Sequence, residues 1–391
     1  MLRSLDSGIS GLRAHQTMLD VTANNIANVN TTGFKSSSTQ FEDTLSQMLE
    51  PAGGGNAEVG STNPAQVGLG VKVAGIATSF TQGSTDTTGN SGDMMISGDG
   101  FFTVQSGGQT LYTRAGSFNF DSTGQLVTPD GALVQGWSAV NGVIPPGASA
   151  LSTIKLPASS LAPAKATTTA TVTGNLPSDA AVGTAVTQDE NVYDSTGATR
   201  NLQLTFTKTA TGWDVAGEDG TGATGTASMT FANAALTGGS SVTVGGVTVD
   251  LSGVTGFAAL STASISAQNG TAAGTLQSYT LSADGTLMGS YSNGASLAIA
   301  RIALTNFTNP EGLQKVGSSD YKATIASGDA TIGTAGTDGL GNLVGGSLEM
   351  SNVDLTQEFS NLIVAQRGFE ANARIITTSD QILQDLNQMQ H

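Results

Sequence analysis

The stretch SNVDLTQEFSNLIVAQRGFEANARIITTSDQILQDLNQMQ, residues 351–390, organises the rest of the chain. Apolar residues recur in it at a step of seven, at Leu355, Leu362, Phe369, Ile376 and Leu383. A sustained repeat of seven predicts a long helix with an apolar seam of the coiled-coil type. Ser351 and Asp354 can cap its amino terminus, and no proline follows Pro310 to interrupt it.

The opening residues of the chain carry a similar seam. Apolar residues three or four positions apart occur there at Leu2, Leu5, Ile9, Leu12, Leu19 and Ile26. Gly8 and Gly11 are weak helix formers within the same stretch, and an isolated helix cannot bury its own seam. We therefore expect the first helix to form only against a partner. That partner is the last helix, a neighbouring copy or, in the simplest alternative, a globular body of its own chain.

Composition and charge limit the function classes. A chain of 391 residues has room for two or three domains. Its net charge of −16 argues against nucleic acid and against an anionic membrane surface as partners. The absence of cysteine removes disulfides, thiol catalysis and zinc–thiolate sites. We find neither a signal-peptide pattern nor an apolar run long enough for a membrane-spanning helix.

Between the two helical ends, the sequence predicts short antiparallel strands. Strand-like segments with a turn about every ten residues begin at Val71, and the proline-bearing stretch 145–163 marks a boundary. The predicted fold is therefore mainly β with α-helical termini: paired coiled-coil helices, a discontinuous antiparallel β domain, and a second β domain inserted in it. The predicted divisions are 1–35 with 351–391 (helical), 36–70 (a connecting segment, flexible in its glycine-rich part 52–70), 71–150 with 285–350 (inner β domain) and 151–284 (outer β domain).

We find no arrangement of residues that predicts a reaction. The two histidines, His15 and His391, lie on the predicted terminal helices, where no catalytic cleft is expected. Asp93 and Asp99 are read as turn residues, because no loop supplies the run of carboxylates that calcium requires. The sequence thus predicts no enzyme and no catalytic, cofactor or metal site.

Two long stretches resemble a known family. ANNIANVNTTGFK at 23–35 and the stretch 351–383 resemble the terminal signatures of the bacterial flagellar axial proteins, which include rod, hook and hook-associated proteins. The signature positions are Asn24, Asn25, Asn28, Thr32, Gly33, Phe34, Asn352, Val353, Asp354, Gln366 and Arg367. Internal stretches such as GDGFFTVQ at 98–105 and residues 110–137, 191–208 and 289–317 are similar to hook subunits. Distal rod subunits are similar to this chain without the region 151–284.

The resemblance implies a structural subunit of the flagellar hook. Such subunits self-assemble into a helical tube, a flexible joint that transmits torque from the rod to the filament. The two seams would contact neighbouring subunits, the inner β domain would form the tube wall, and the inserted domain would face outward. The implied partners are further copies of the chain, the rod, hook cap and hook–filament junction proteins, and the type III export apparatus. The implied location is the extracellular hook and basal body, reached without a cleaved signal peptide. The alternatives are a distal rod protein and, in a different class, a secreted β-rich adhesin.

Overall fold

The computed structural model describes residues 2–54, 60–140, 142–145, 150–156 and 161–389. A helix stands at each end of this chain: α1 is Leu2–Ala27 and α2 is Leu355–Gln388. Asp354 caps α2, since its carboxylate accepts hydrogen bonds from the backbone N–H groups of Thr356 and Gln357, at 2.8 and 3.3 Å. No helix within these ranges carries the long apolar stretch that crossing a membrane requires.

The strands are numbered in chain order. Strands β1–β13 are Ser37–Asp43, Ser46–Glu50, Ala65–Gly68, Val71–Thr78, Thr85–Thr87, Met94–Ser97, Phe101–Ser106, Gln109–Thr113, Asn119–Phe120, Leu126–Val127, Leu133–Ser138, Ser152–Thr153 and Leu161–Ala162. Strands β14–β22 are Thr169–Asn175, Ala185–Tyr193, Thr199–Lys208, Gly212–Asp219, Thr224–Ala232, Ala235–Gly238, Ser241–Val244, Val247–Thr255 and Ser264–Gln268. Strands β23–β31 are Gly274–Leu281, Thr286–Tyr291, Ser296–Ile302, Leu304–Asn306, Gln314–Gly317, Asp320–Lys322, Thr331–Gly333, Asn342–Gly345 and Ser347–Glu349. A single 3₁₀ turn, Pro310–Gly312, precedes β27 among the described residues.

The larger sheet has fourteen strands and is built from two separated parts of the chain. Its main order is β13-β23-β24-β25-β11-β7-β8-β28-β27, so a group of strands from the first half of the chain lies between groups from the second half. Its core includes Phe102, Val104, Val134, Ile302 and Leu304, which are fully buried. The burial of these side chains is the main force that holds the two parts together.

The smaller sheet has nine strands, β14–β22, and a separate core. Trp213 and Phe206 lie in that core, and β14 pairs with β21 in parallel while the other pairs are antiparallel. The short strands β12 and β13, and the longer β23, are hydrogen-bonded into the larger sheet. Residues at both ends of the predicted outer domain 151–284 therefore belong, by pairing, to the larger sheet.

The chain is mainly β with a helix at each end, which confirms the predicted fold class. The connecting segment 36–70 contains paired strands in its described part: β1 pairs with β4, and β2 with β3. The strand β3 lies in the glycine-rich part 52–70, where local composition carries no information about a partner strand outside that part. Leu45, Met48 and Leu49 of this segment are exposed.

Candidate functional site

The two helices run antiparallel and meet through small and polar residues. Gly8 of α1 faces Ile375 and Ile376 of α2, whereas Gly368 of α2 faces the imidazole of His15. The most buried residues on the helices are Ala14, Thr22 and Asn25 on α1 and Glu358, Ala365 and Ser379 on α2. The glycines that weaken α1 as an isolated helix thus allow the second helix to approach closely.

Where α1 ends and α2 begins, both helices are fastened to the larger sheet. We call this region the junction and define it by Asn25, Gly33, Lys35, Glu349 and Asn352. At its centre, Lys35 Nζ lies 2.6 Å from Glu349 Oε1, and both side chains are fully buried. Lys35 Nζ also donates to the carbonyl oxygen of Thr81 at 2.7 Å. Burial lowers the pKa of Lys35, and the nearby Glu349 carboxylate opposes that shift.

Glu349 holds a second cation, Arg114, which follows β8. Arg114 Nη1 lies 3.4 Å from Glu349 Oε2 and donates to the carbonyl oxygen of Gly98 at 2.8 Å. Its guanidinium lies 5.3 Å from the centre of the Phe101 ring, and burial lowers its pKa. One carboxylate, just before α2, therefore joins the segment after α1 to the body of the sheet.

Asn25 links three segments through its side-chain amide. Its Nδ2 donates to Glu358 Oε1 at 2.9 Å and to the carbonyl oxygen of Ser37 at 2.7 Å. Its Oδ1 accepts the backbone N–H of Ser37 at 3.0 Å. Asn25 is 1 % exposed, and both polar atoms of its side chain are engaged. It therefore joins the end of α1 to the start of β1 and to the first turns of α2.

Gly33 and Asn352 complete the junction through the backbone. The N–H of Gly33 donates to the carbonyl oxygen of Glu349 at 2.8 Å. Gly33 has φ +67°, and a Cβ there would lie 2.5 Å from the backbone nitrogen of Ala115. Both facts require glycine. Asn352 Oδ1 accepts the N–H of Ser36 at 2.8 Å, while its Nδ2 donates to the carbonyl oxygen of Ser79 at 2.9 Å.

Lys315, on β27, provides another fastening. Its Nζ donates to the carbonyl oxygen of Lys35 at 2.9 Å and to Ser37 Oγ at 2.8 Å. The same ammonium lies 5.0 Å from the centre of the Phe34 ring. The segment 34–37 is therefore held from both sides, by Glu349 and by Lys315.

The structure brings many of the predicted signature residues together. Asn25, Gly33, Phe34, Asn352 and Asp354 make the contacts given above. Asn28 closes the end of α1 through Asn24, and Ser319 Oγ donates to the carbonyl oxygen of Thr32 at 3.4 Å. The N–H of Val353 donates to Ser351 Oγ. Gln366 and Arg367 lie further along α2, with exposed side chains outside the junction.

Sequence reasoning missed the charged residues at the centre of the junction. Lys35 ends the quoted N-terminal signature without being one of the signature positions, and no pattern in the sequence points to Arg114, Glu349 or Glu358. The available signal was Glu349 itself, a lone carboxylate between glycines and α2 in a chain with few charges. Among the described residues, no group of three or more His, Asp or Glu side chains is arranged to hold a metal ion.

Among the predicted seam residues, Ile376 lies in the helix contact, where it faces Gly8, but none of those whose burial is described is fully buried. Leu355, Phe369 and Leu383 are exposed by 40, 37 and 40 %. The other described seam residues are half-buried: Leu362 and Ile376 on α2, and Leu5, Ile9, Leu12, Leu19 and Ile26 on α1. The side chain of Leu2 lies outside the described residues.

The chain is a β body whose helical ends are joined to it by buried charges, and the comparisons place this arrangement in a class of structural subunits. Three family models, all of flagellar rod or hook proteins, match successive parts of the chain. "Flagella basal body rod protein" matches residues 5–35, "Flagellar hook protein FlgE/F/G D1 domain" matches 95–175, and "Flagellar basal body rod FlgEFG protein C-terminal" matches 344–389. The chain is 38 % identical to the flagellar hook protein FlgE of Treponema pallidum over 98 % of each chain. It is 37 % identical to that of Salmonella typhimurium over 98 % of this chain and 99 % of that one. The chain belongs to the flagellar rod and hook protein family.

A rod protein of the family is also similar to this chain, at a lower identity than the two hook proteins given above. The flagellar basal-body rod protein FlgG of Bacillus subtilis is 33 % identical over 99 % of this chain and 98 % of its own. The alternatives of a rod protein and of an adhesin are thus not favoured. A solved structure of Helicobacter pylori flagellar hook protein FlgE2 has a TM-score of 0.47 and 14 % identity, and covers 66 % of this chain and 98 % of that chain.

Proposed function

We propose that this chain is the structural subunit of the flagellar hook and that its terminal helices carry the contacts between copies. The observation that supports this most directly is the part of α2 that α1 leaves uncovered. Phe359, Ile363 and Val364 are 53, 52 and 59 % exposed, and Ile375 and Ile382 are 44 and 46 % exposed. A helix with this much exposed apolar surface is typical of one that is buried against further helices.

Burying that surface between copies would favour assembly. Burying a large apolar side chain contributes about 1.5–3 kcal/mol, and each added copy repeats the same contacts. The predicted seam residues Leu355, Phe369 and Leu383 belong to the exposed surface, so they are the inter-subunit residues that we propose on α2. On α1, the half-buried seam from Leu5 to Ile26 would be covered in the same step.

The remaining parts of the proposal come from the family. Copies would form a helical tube whose wall is the larger sheet, with the smaller sheet outside and the helices inside. The tube would serve as a flexible joint that passes torque from the rod to the filament. Its further partners would be the rod, hook cap and hook–filament junction proteins. The chain would be exported through the type III apparatus without a cleaved signal peptide.

Polymerisation of the purified chain tests the proposal. Wild-type protein should form tubes visible by electron microscopy without any cofactor. Phe369→Asp should abolish them, because burying an unpaired carboxylate costs several kcal/mol at every contact. Thr378→Asp, an exposed polar position on the same helix, is the matched control and should still assemble. If Phe369→Asp assembles as well as Thr378→Asp, the apolar surface of α2 is not a contact between copies.

A further inference from the structure

A cleft lies beside the junction, between the end of α1 and the β27–β28 hairpin. Its volume is about 670 Å³, and its lining includes Asn28, Phe34, Asp130, Lys315 and Asp320. A volume of this size is in the range that accommodates a large side chain or a small ligand.

Asp320 is the unusual residue of this cleft, because its side chain is largely buried and it belongs to no ion pair among the described residues. Asp320 is 5 % exposed. The Thr113 hydroxyl is in hydrogen-bonding reach of the Asp320 carboxylate and also of the carbonyl oxygen of Ser319, at 3.1 Å, and it has one proton for the two acceptors. A buried carboxylate can accept several hydrogen bonds and is costly without them. Burial, together with the negative charge of Asp130, raises the pKa of Asp320 to about 6.

The cleft contains more negative than positive charge. Asp130 and Asp320 both line it, and the ion pairs within the described ranges include neither. Lys315 is the cation among the lining residues, and its ammonium is engaged by the carbonyl oxygen of Lys35 and by Ser37 Oγ. No ion pair joins Lys315 to Asp320 within the described ranges, so the Asp320 carboxylate can accept a cation from outside this set of residues.

We propose that this cleft receives an arginine side chain from the terminal helices of a second copy of the chain. Four exposed arginines lie on the helices and make no ion pair in the part of the chain that the structure describes: Arg3 and Arg13 on α1, and Arg367 and Arg374 on α2. A guanidinium offers a planar fork of donors that matches a carboxylate. Asn24 and Asn28 at the end of α1 line the cleft, so it opens at the level of the helices. The inference rests on the proposed homopolymer.

The test compares Asp320→Asn with Asp329→Asn, an exposed carboxylate outside the cleft. The measured quantity is the critical concentration for tube formation, by sedimentation at pH 7.5. Asp320→Asn should raise it about tenfold or more, as the loss of a charge-assisted hydrogen bond predicts. Asp329→Asn should leave the critical concentration within about twofold of the wild-type value. A tenfold change would correspond to about 1.4 kcal/mol. The Asp320→Asn monomer should melt no lower than wild type, which separates lost docking from lost folding.

Proton linkage and the arginine variants sharpen the test. The charged and titratable groups lining the cleft are Asp130, Lys315, Asp320 and Tyr321. Docking stabilises the ionised carboxylate. The critical concentration of the wild type should therefore decrease as the pH rises from 5 to 7.5, whereas that of Asp320→Asn should not change in this way. Replacing the docking arginine with glutamine should raise the critical concentration in wild type but add nothing in Asp320→Asn.

Three results would overturn the proposal. In the first, Asp320→Asn assembles like Asp329→Asn. In the second, all four arginine variants act additively with Asp320→Asn. In the third, the Asp320→Asn defect appears only when magnesium is present, which identifies the cleft as an ion site. A wild-type chain that forms no tubes at all contradicts the homopolymer, and the docking with it.

Discussion

Replacing Lys35 with methionine should weaken the larger sheet while leaving the smaller one unchanged. Methionine keeps most of the side-chain volume but leaves Glu349, which is fully buried, without its partner at 2.6 Å. Breaking a buried ion pair costs about 3–5 kcal/mol. Glu349 keeps the N–H of Gly83 at 3.0 Å and Arg114 at 3.4 Å, so we expect the lower end, about 3 kcal/mol. With a urea m value of about 2 kcal/mol per molar, the unfolding midpoint should fall by about 1.5 M.

The two tryptophans allow the two sheets to be followed separately. Trp137 is buried in the larger sheet on β11, and Trp213 is buried in the smaller sheet on β17. Fluorescence in a Trp213→Phe background therefore reports unfolding of the larger sheet, and a Trp137→Phe background reports the smaller one. The Lys35→Met shift should appear in the first background only.

A matched control is available at Lys72, whose ion pair with Glu42 has a similar length, 2.7 Å, but is exposed. Lys72→Met should leave the midpoint of the larger sheet unchanged within error, because exposed ion pairs contribute little. Adding Glu349→Gln to Lys35→Met should cost less than the sum of the single changes, since the buried charge is then removed. If Lys35→Met shifts the midpoint no more than Lys72→Met, the buried pair does not hold the junction.

Three further changes test other parts of the structure. Gly33→Ala should destabilise the larger sheet by about 2 kcal/mol more than Gly89→Ala in urea unfolding, because both have φ near +70° but only Gly33 would place a Cβ against backbone. Equal costs would mean that φ alone matters. Gly8→Ala should raise the helix content measured by circular dichroism, whereas Gly11→Ala should not, because its Cβ would meet a facing side chain at 2.7 Å. The reverse order would contradict the packing described for α1. In the monomer, the pKa of Asp320 is raised to about 6, so the folded state binds the proton more tightly than the unfolded one. The free energy of unfolding should then fall by up to about 3 kcal/mol as pH rises from about 4 to about 6, and Asp320→Asn should abolish this dependence.

The sequence predicted those features that local patterns encode. The step of seven from Leu355 to Leu383 predicted α2, and the capping carboxylate Asp354 marked its start. Short alternating segments predicted the β content. What the sequence did not reveal depends on pairing over long distances, such as β1 with β4 or Lys35 with Glu349. The seam as a contact between copies stays a prediction. The most buried positions of the α1–α2 contact are glycine, alanine and polar residues, which a hydrophobic period does not detect.

The contacts of the junction join residues that are very far apart along the chain. Lys35 and Glu349 are separated by 314 positions, Ser36 and Asn352 by 316, and Asn25 and Glu358 by 333. Contacts of such high order form late in folding, because the loop-closure entropy must be overcome before they contribute anything. During synthesis the segment after α1 emerges early, whereas Glu349, Asn352 and Glu358 are made near the end of the chain. The contacts of the junction therefore cannot form before nearly the whole chain is present, and a chain that lacks its final fifty residues cannot make them.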